Sequence, residues 1–528
     1  MKTTLALIAA LLLSPLAGLT AAETPKPNIV FIFADDWGWG DLSCHGHPWL
    51  KTPILDKLAS EGTDFQQFNV LNPVCSPSRV AAMTGRYPSR YGVNNVFGGN
   101  GPEPEMPDWL DGKAPTTARY LKAGGYRTAH FGKWHMGDMP DNPSMADYGF
   151  DESAVYHGPG PKIKPHEIAD RAAQFIEANE DHPFFLDVWI HESHTNHDPT
   201  PESMEKWKHL NDEQKQVYSA VITDGDNNVG KVLDALEKAG VAKNTLVVFS
   251  SDNGPESTGG ETDKGKPGSY GSYYSIGDTG GLRGRKRSLF EGGVRVPFIV
   301  RWPGHTPAGV KNDTTVFTAV DLLPTFCAAA GVTPPAEAKG DGENLLAALN
   351  GEAVARTRPI FWLHTGKKAE PDWWPRLAVR DRDWKLVMTY GAERVELHNL
   401  NSDRAEDAGR DEAKAHPEIV ARLSKLLLDW HATLPTTVDP TCVSKTRGSE
   451  PKKPTKKAET PEPTAKPLSK DRNIPFDRWD TNKDGSLSLE EYKIGQKGGE
   501  NLEERFKKFD KNGDGKLTRE EFVGPSAK

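Results

Sequence analysis

Residues 28–34 (NIVFIFA) form a near-continuous apolar run without alternation, which predicts a strand covered on both faces. Similar runs stand at 127–131 (RTAHF), 184–190 (FFLDVWI) and 244–250 (NTLVVFS). Helical periodicity fills the intervals. Residues 51–61 set Ile54, Leu55 and Leu58 on one face, and 115–124 open on Pro and Thr and stop at Gly124. Residues 213–239 repeat Val217, Val221, Val229, Val232, Leu233 and Leu236 at helical spacing. This alternation over 23–305 predicts an α/β domain, a large and mostly parallel sheet sandwiched by helices. From 306 to 442 the pattern changes to short strands at 359–364, 376–381, 384–390 and 395–400, then a helix at 416–432. That predicts a smaller α+β subdomain with an antiparallel sheet.

Both ends lie outside this pattern. Residues 1–22 carry Lys2, an apolar stretch at 5–13 and small residues at Ala21-Ala22, the layout of a cleaved signal peptide, so the protein is expected to be secreted or periplasmic. Residues 443–470 hold five prolines and eight Lys or Arg against three Glu, a composition expected of an extended, disordered linker. Residues 471–528 contain two loops that place oxygen donors at EF-hand spacing, with glycine at the sixth position. The first offers Asp480, Asn482, Asp484, Ser486 and Glu491, and the second Asp510, Asn512, Asp514, Lys516 and Glu521. Leu487 and Leu517 stand where paired loops bridge, and Phe506 and Phe509 give the second entering helix its apolar face. Each loop is expected to bind Ca²⁺; a partner for this tail is not legible.

Length and charge narrow the classes. The chain has 528 residues and a net charge of −9, which argues against a nucleic-acid partner, and no apolar run after the N-terminus is long enough to span a membrane. Four cysteines, Cys44, Cys75, Cys327 and Cys442, exclude a disulfide-stapled fold.

The four apolar runs share a second property: each leads into polar residues. The first reaches Asp35-Asp36, the second Gly132-Lys133-Trp134-His135, the third His191-Glu192-Ser193-His194 and the fourth Asp252-Asn253-Gly254. Ligands bind outside the carboxyl ends of strands in open parallel sheets, so the clusters are expected to meet at one edge. Asp35, Asp36, Asp252 and Asn253 are hard oxygen donors suited to one Ca²⁺, ahead of Mg²⁺. Lys133, His135, His194, Lys286 and Arg79 add positive charge or N–H donors, and together these groups suit an oxyanion ester.

Residues 75–92 (CSPSRVAAMTGRYPSRYG) set a cysteine at a predicted helix start, with Ser76 as N-cap, Pro77 in the first turn and Gly85 as the stop. This stretch resembles the Cys-x-Pro-x-Arg signature of type I sulfatases of the alkaline phosphatase superfamily. Asp35-Asp36, Gly132–His135, His194, Asp252-Asn253, and Leu282–Lys286 with Glu291-Gly292-Gly293 are similar to the family's other motifs. The resemblance spans about residues 26–435 and departs from the family at Ile54 and Asn196, where Asn and Pro are usual. It implies that a formylglycine-generating or equivalent maturation enzyme oxidises Cys75 to formylglycine, whose hydrated aldehyde attacks sulfur. It also implies that Cys75 joins the metal ligands, that Arg79 and Lys133 orient the nucleophile, that His194 or Lys286 protonates the leaving alcohol and that His135 acts as base. The expected substrate is a sulfated carbohydrate. Two alternatives remain at this level: a phosphate or phosphonate ester hydrolase of the same superfamily, and a non-catalytic, calcium-organised glycan-binding protein.

Overall fold

The structure, a computed structural model, describes residues 25–97, 106–338, 340–365, 374–447, 476, 479–495 and 502–523. The expected signal peptide and most of the expected linker lie outside these residues. Two compact units divide at 447/448, and each is described by itself.

The larger unit is built on strands β1 (Asn28–Ala34), β2 (Thr63–Asn69), β3 (Arg127–Lys133), β4 (Glu152–Tyr156), β5 (Phe184–Trp189) and β6 (Thr245–Ser251). A two-residue ribbon, β7 (Gly265–Lys266) with β8 (Ser269–Tyr270), follows, then β9 (Phe298–Arg301) and β10 (Val310–Thr318). The eight-stranded sheet runs β10-β2-β9-β6-β1-β5-β3-β4, with β9 antiparallel to its neighbours. Every residue of β1 is buried. Its pleat explains the unbroken apolar run. Ile29, Phe31 and Phe33 join Val80, Ala118, Leu121 and Phe326 in one core, while Val30, Ile32 and Ala34 join Leu55, Leu58, Ile176 and Val229 in another. Each such side chain removed from water contributes roughly 1.5–3 kcal/mol.

Strands β11 (Ile360–Leu363), β12 (Leu377–Asp381), β13 (Trp384–Met388) and β14 (Val395–Asn399) form the expected antiparallel sheet, in that order. Helix Pro417–His431 packs on it through Leu423, Leu427 and Trp430, with Trp430 stacked on Phe361 at 4.9 Å. Trp362 is fully buried and its Nε1–H donates to Val70 O at 2.8 Å, so it is core.

Two boundaries differ from the sequence reading. The boundary at 305/306 assigned β10 to the subdomain, yet β10 pairs in parallel with β2 as the edge of the large sheet. Being an edge strand it is polar and mostly exposed over its first five residues, which hid its membership. The linker was expected from 443, but residues 443–447 belong to the larger unit. Ser444 Oγ donates to Asp141 at 2.6 Å, and Arg447 pairs with Asp108 at 2.8 Å. All four cysteines are free.

The second unit pairs β15 (Ser486–Ser488) with β16 (Lys516–Thr518), antiparallel, with Leu487 opposite Leu517. Phe476, Leu487, Tyr492, Phe506, Leu517 and Phe522 form its core.

A buried ionic network joins the small sheet to the large domain. Lys385 Nζ on β13 lies 2.8 Å from Glu291 Oε1 and 3.1 Å from Glu406 Oε1, and Arg295 Nε lies 2.5 Å from Glu291 Oε2. Burial opposes ionisation of Glu291, but Lys385, then Arg295 and Arg380, outweigh it and hold its carboxyl well below the usual range. The stability from a depressed carboxyl is present above the unfolded value near pH 4 and is lost as pH falls below it. Lys385→Ala leaves two carboxylates facing each other in the core. It is expected to cost about 3–5 kcal/mol, read as a lower midpoint in thermal unfolding at neutral pH.

Candidate active site

Strand register assembles the four clusters. β6, β1, β5 and β3 are adjacent and parallel, so their carboxyl ends open on one edge. Ala34 pairs with Ser251, which sets Asp35 beside Asp252. The Asp252 N–H donates to Ala34 O at 3.0 Å, and the Asp36 N–H donates to Asp252 Oδ1 at 3.2 Å. Asn253 Nδ2 donates to Asp36 Oδ1 at 2.7 Å. Asp36 (φ 62°) and His135 (φ 54°), both just past strand ends, hold left-handed backbone, a strain common at functional sites. Gly132 (φ 120°) precedes Lys133 because β3 crowds β5 there: a Cβ would stand 2.0 Å from Trp189 O.

Helix Cys75–Thr84 begins at the same edge and is buried throughout. Its N-cap is Val74, which supplies no side-chain oxygen. Ser76 is therefore not the cap; its Oγ accepts from Phe97 N at 3.1 Å. Gly85 closes the helix in the left-handed conformation. Cys75 Sγ lies 3.5 Å from both Asp35 Oδ1 and Lys133 Nζ. One turn on, Arg79 Nη2 reaches Asp252 Oδ2 at 2.6 Å and Asp35 Oδ1 at 3.3 Å, and its Nη1 donates to Lys133 O at 3.1 Å.

The remaining cations face the same carboxylates. Lys133 Nζ lies 2.7 Å from Asp35 Oδ2, and Lys286 Nζ 2.6 Å from Asp36 Oδ2. His194 Nε2 stands 3.9 Å from Asp36 Oδ2, while its Nδ1 lies 2.5 Å from Thr195 O. His135 Nε2 lies 3.2 Å from Phe97 O. Asp35, Asp36, Cys75, Arg79, Lys133, His194, Asp252, Asn253 and Lys286 thus form one connected cluster, while the His135 ring bonds Phe97 O at its side.

The electrostatics follow from burial. Desolvation pushes Asp36 and Asp252 up, Asp252 to about 7 with the Asp35 charge adding to the effect. Asp35 goes the other way: burial opposes its ionisation, but Lys133, with Arg79 beside it, outweighs it. Burial, then Lys133, drives His135 and His194 well below their ordinary value, so both rings are neutral. Burial raises the Cys75 thiol far above its ordinary value, so the unmodified side chain stays protonated.

A hard divalent ion fits this donor set. Ligand atoms of Asp35, Asp36, Cys75 and His194 lie within 4.8 Å of one another. Asn253 Oδ1 is buried with no hydrogen-bond partner, an acceptor still in need of a cation. In the second unit, the Asp480 oxygens accept from the N–H groups of Asp484 and Gly485 at 3.1 and 3.0 Å. The Asp510 oxygens likewise accept from Gly513 and Gly515 at 2.7 and 2.9 Å. Glu491 and Glu521 each close their loop by accepting from the N–H three residues earlier, both at 3.0 Å. These are EF-hand loops with their oxygens gathered.

Sequence reasoning missed His191, Glu256 and Arg287. His191 Nδ1 lies 2.5 Å from Asp35 Oδ2. Extending the β1–β5 register three residues past Ile32↔Val188 sets His191 beside Asp35, a signal a strand alignment would have given. Glu256 Oε2 lies 3.3 Å from Lys286 Nζ and pairs with Arg287.

A mostly parallel α/β sheet with acidic, amide and cationic groups gathered at its carboxyl edge is the layout of a hydrolase for oxyanion esters. Comparison with known proteins narrows it. Residues 27–332 match the family model described as Sulfatase, and 284–433 the one described as N-sulphoglucosamine sulphohydrolase, C-terminal. Residues 475–494 and 501–524 match EF-hand models. The chain belongs to the sulfatase family and is a sulfuric ester hydrolase. It is 33% identical over 389 residues to N-acetylgalactosamine-6-sulfatase of Homo sapiens, covering 65% of this chain and 70% of that one. It is 29% identical over 482 residues to arylsulfatase G of Rattus norvegicus, covering 77% and 87%. The crystal structure of Ps i-CgsB in complex with k-i-k-neocarrahexaose superposes with a TM-score of 0.66 at 27% identity, covering 79% of this chain and 96% of that one.

Removing the His191 ring takes away one of the groups that hold Asp35, beside Lys133 and Arg79. His191→Ala is expected to weaken the divalent-ion dependence of turnover about 10–100-fold, read as the ion concentration giving half-maximal rate.

Proposed function

We propose that the chain is an exported, calcium-dependent sulfatase acting on sulfated glycans, with residue 75 matured to formylglycine by a formylglycine-generating or equivalent enzyme. The observation that carries this reading is the position of Cys75 Sγ, 3.5 Å from Asp35 and from Lys133 at the mouth of the acidic cluster. A buried, protonated thiol there is a poor nucleophile. Asp35, Asp36, Asp252 and Asn253 would hold the ion, with residue 75 as a further ligand. Loaded, the site would supply a hydrated-aldehyde hydroxyl as nucleophile and a cation to polarise the sulfate.

The chain's own groups divide the remaining work. Arg79, tied to Asp252 and Asp35, fixes the carboxylate rotamers. Lys133 bridges Asp35 and the side chain of residue 75 and orients the nucleophile. A carbonyl only accepts, so the contact of His194 Nδ1 with Thr195 O requires Nδ1–H and leaves Nε2 of the neutral ring without a proton. Lys286 keeps its protons, since Asp36 and Glu256 outweigh burial and raise its pKa. Lys286 is therefore the better donor to the leaving alcohol. His135 spends Nε2–H on Phe97 O and has a bare Nδ1, as a base for re-forming the aldehyde needs.

Export follows from the reading of residues 1–22, and no helix among the described residues is long and apolar enough to cross a membrane. The glycan substrate is supported by the relatives: one is named for N-acetylgalactosamine-6-sulfate and another is solved with a neocarrahexaose.

Cys75→Ala and Cys75→Ser are expected to abolish sulfate-ester turnover, and mass spectrometry of the Cys75 peptide from active protein should find the aldehyde. Full activity in Cys75→Ala refutes the assignment. Assaying the sulfate and phosphate monoesters of one phenol separates this reading from a phosphate ester hydrolase, which would turn over the phosphate faster.

Lys286→Ala is expected to lower kcat about 10²–10³-fold on a sugar sulfate, whose alkoxide leaves poorly. On a nitrophenyl sulfate, which needs no proton to leave, the loss should be smaller. An equal loss on both would remove Lys286 as the donor.

A further inference from the structure

Outside the acidic pocket, a second group of metal-ligating side chains comes together where the turn Ser43–His45 meets Asp64 of β2. Ligand atoms of Cys44, His45 and Asp64 all lie within 4.8 Å of one another. His45 Nδ1 lies 2.6 Å from Trp39 O. The carbonyl can only accept, so Nδ1 carries the proton and Nε2 of the neutral ring is a bare lone pair. That lone pair faces Asp64 Oδ2 at 2.9 Å, a second acceptor. Two acceptors at this separation require a proton or a metal ion between them. The Asp64 side chain is only 1% exposed, and its other oxygen, Oδ1, is buried with no hydrogen-bond partner. A proton on His45 would serve the Nε2–Oδ2 pair and leave Oδ1 without a partner; an ion can take the imidazole, the carboxylate and the sulfur together.

The surroundings hold the donors in place. Trp39 stacks on the His45 ring at 4.1 Å and 19°. The Cys44 N–H donates to Asp56 Oδ1 at 2.8 Å, and Ser43 Oγ donates to Asp56 Oδ2 at 2.6 Å. Lys311 Nζ donates to Cys44 O at 2.9 Å.

We propose that Cys44, His45 and Asp64 bind a borderline-soft divalent ion, Zn²⁺ foremost, at a site that shares no residue with the catalytic centre. One sulfur, one imidazole nitrogen and one carboxylate are the mixed donor set that Zn²⁺ accepts and Ca²⁺ does not. On binding, the Cys44 S–H bond breaks, its proton passes to solvent and a sulfur–metal bond forms. The ion ties the turn 43–45 to β2. That turn belongs to the excursion that leaves β1 at Asp35-Asp36, so the clamp steadies the segment carrying two of the acidic residues.

The test uses the full-length protein in excess Ca²⁺, which occupies the oxygen-donor sites. Equilibrium dialysis against Zn²⁺ should find about one zinc bound per chain, and Cys44→Ser and His45→Gln should each lower its affinity at least about 10-fold. Co²⁺ in place of Zn²⁺ should give thiolate-to-cobalt absorption in the wild type that vanishes in Cys44→Ser. Alkylation of Cys44 in the wild-type protein, read by peptide mass spectrometry, should slow about 10-fold or more when zinc is present, and this readout needs no variant to fold. Absence of bound zinc, zinc held equally by Cys44→Ser, or a cobalt spectrum without the sulfur band would overturn the proposal.

Discussion

Asp35 and Asp252 end neighbouring parallel strands, and the backbone ladder leaves them no way apart. The pairing of Ala34 with Ser251 sets the two carboxyls side by side, and the next residue adds Asp36. All three are essentially without solvent. Taking such charges out of water costs several kcal/mol each even after relaxation, so the fold holds only if opposite charge is delivered to the same place. Arg79, Lys133 and Lys286 do this at 2.6–2.7 Å, and each comes from a different segment. That requirement fixes the architecture around the edge. Helix Cys75–Thr84 must lie where Arg79 can reach Asp252, and one turn earlier the same helix sets Cys75 against Asp35. The position of Cys75 is thus a consequence of charge compensation.

The same device recurs where the small sheet meets the large domain. Glu291 follows the loop that carries Lys286, and its carboxylate is matched by Arg295 and by Lys385 of β13. The loop is further pinned by the Gly254 N–H, which donates to Gly293 O at 3.0 Å. Gly254 has no alternative there, because a Cβ would stand 1.9 Å from Gly292 O. The acidic loop after β6, the Lys286 loop and the C-terminal sheet are therefore one connected assembly. Lys385 of the antiparallel sheet thus contacts Glu291, five residues from Lys286 in sequence, even though no strand of that sheet carries a member of the acidic cluster.

Much of this was legible in the chain because the carriers were contiguous. The β1 run ends on Asp35-Asp36, the β6 run ends on Asp252-Asn253, and each calcium loop packs its ligands into twelve residues. What was hidden depends on pairing between distant segments. His191 gains its place only from the β5 register against β1, and from the sequence His194 alone of the 191–194 cluster carried an expected role. Strand β10 escaped because an edge strand need not be apolar; its first residues, VKNDT, look like a loop. Residues 443–447 were read with the polar linker that follows, since docking through Ser444 and Arg447 leaves no apolar trace. Ser76 was read as a helix cap from its type, but its oxygen serves the Phe97 backbone.

Backbone carbonyls settle how the histidines and lysines share the chemistry. Thr195 O and Phe97 O each take the one N–H of a neutral ring, from His194 and His135 respectively. Each ring then offers only a lone pair, and burial beside Lys133 keeps it so by opposing a second proton. A pocket built this way has bases and ligands among its histidines but no imidazolium to act as acid. Lys286 keeps its ammonium protons between Asp36 and Glu256. Glu256 matters for that reason: with Lys286 and Arg287 on it, its carboxylate is ionised and keeps Lys286 charged. Under the proposed function, proton donation and metal binding would thereby fall to different side chains, separated by hydrogen bonds to Thr195 O and Phe97 O.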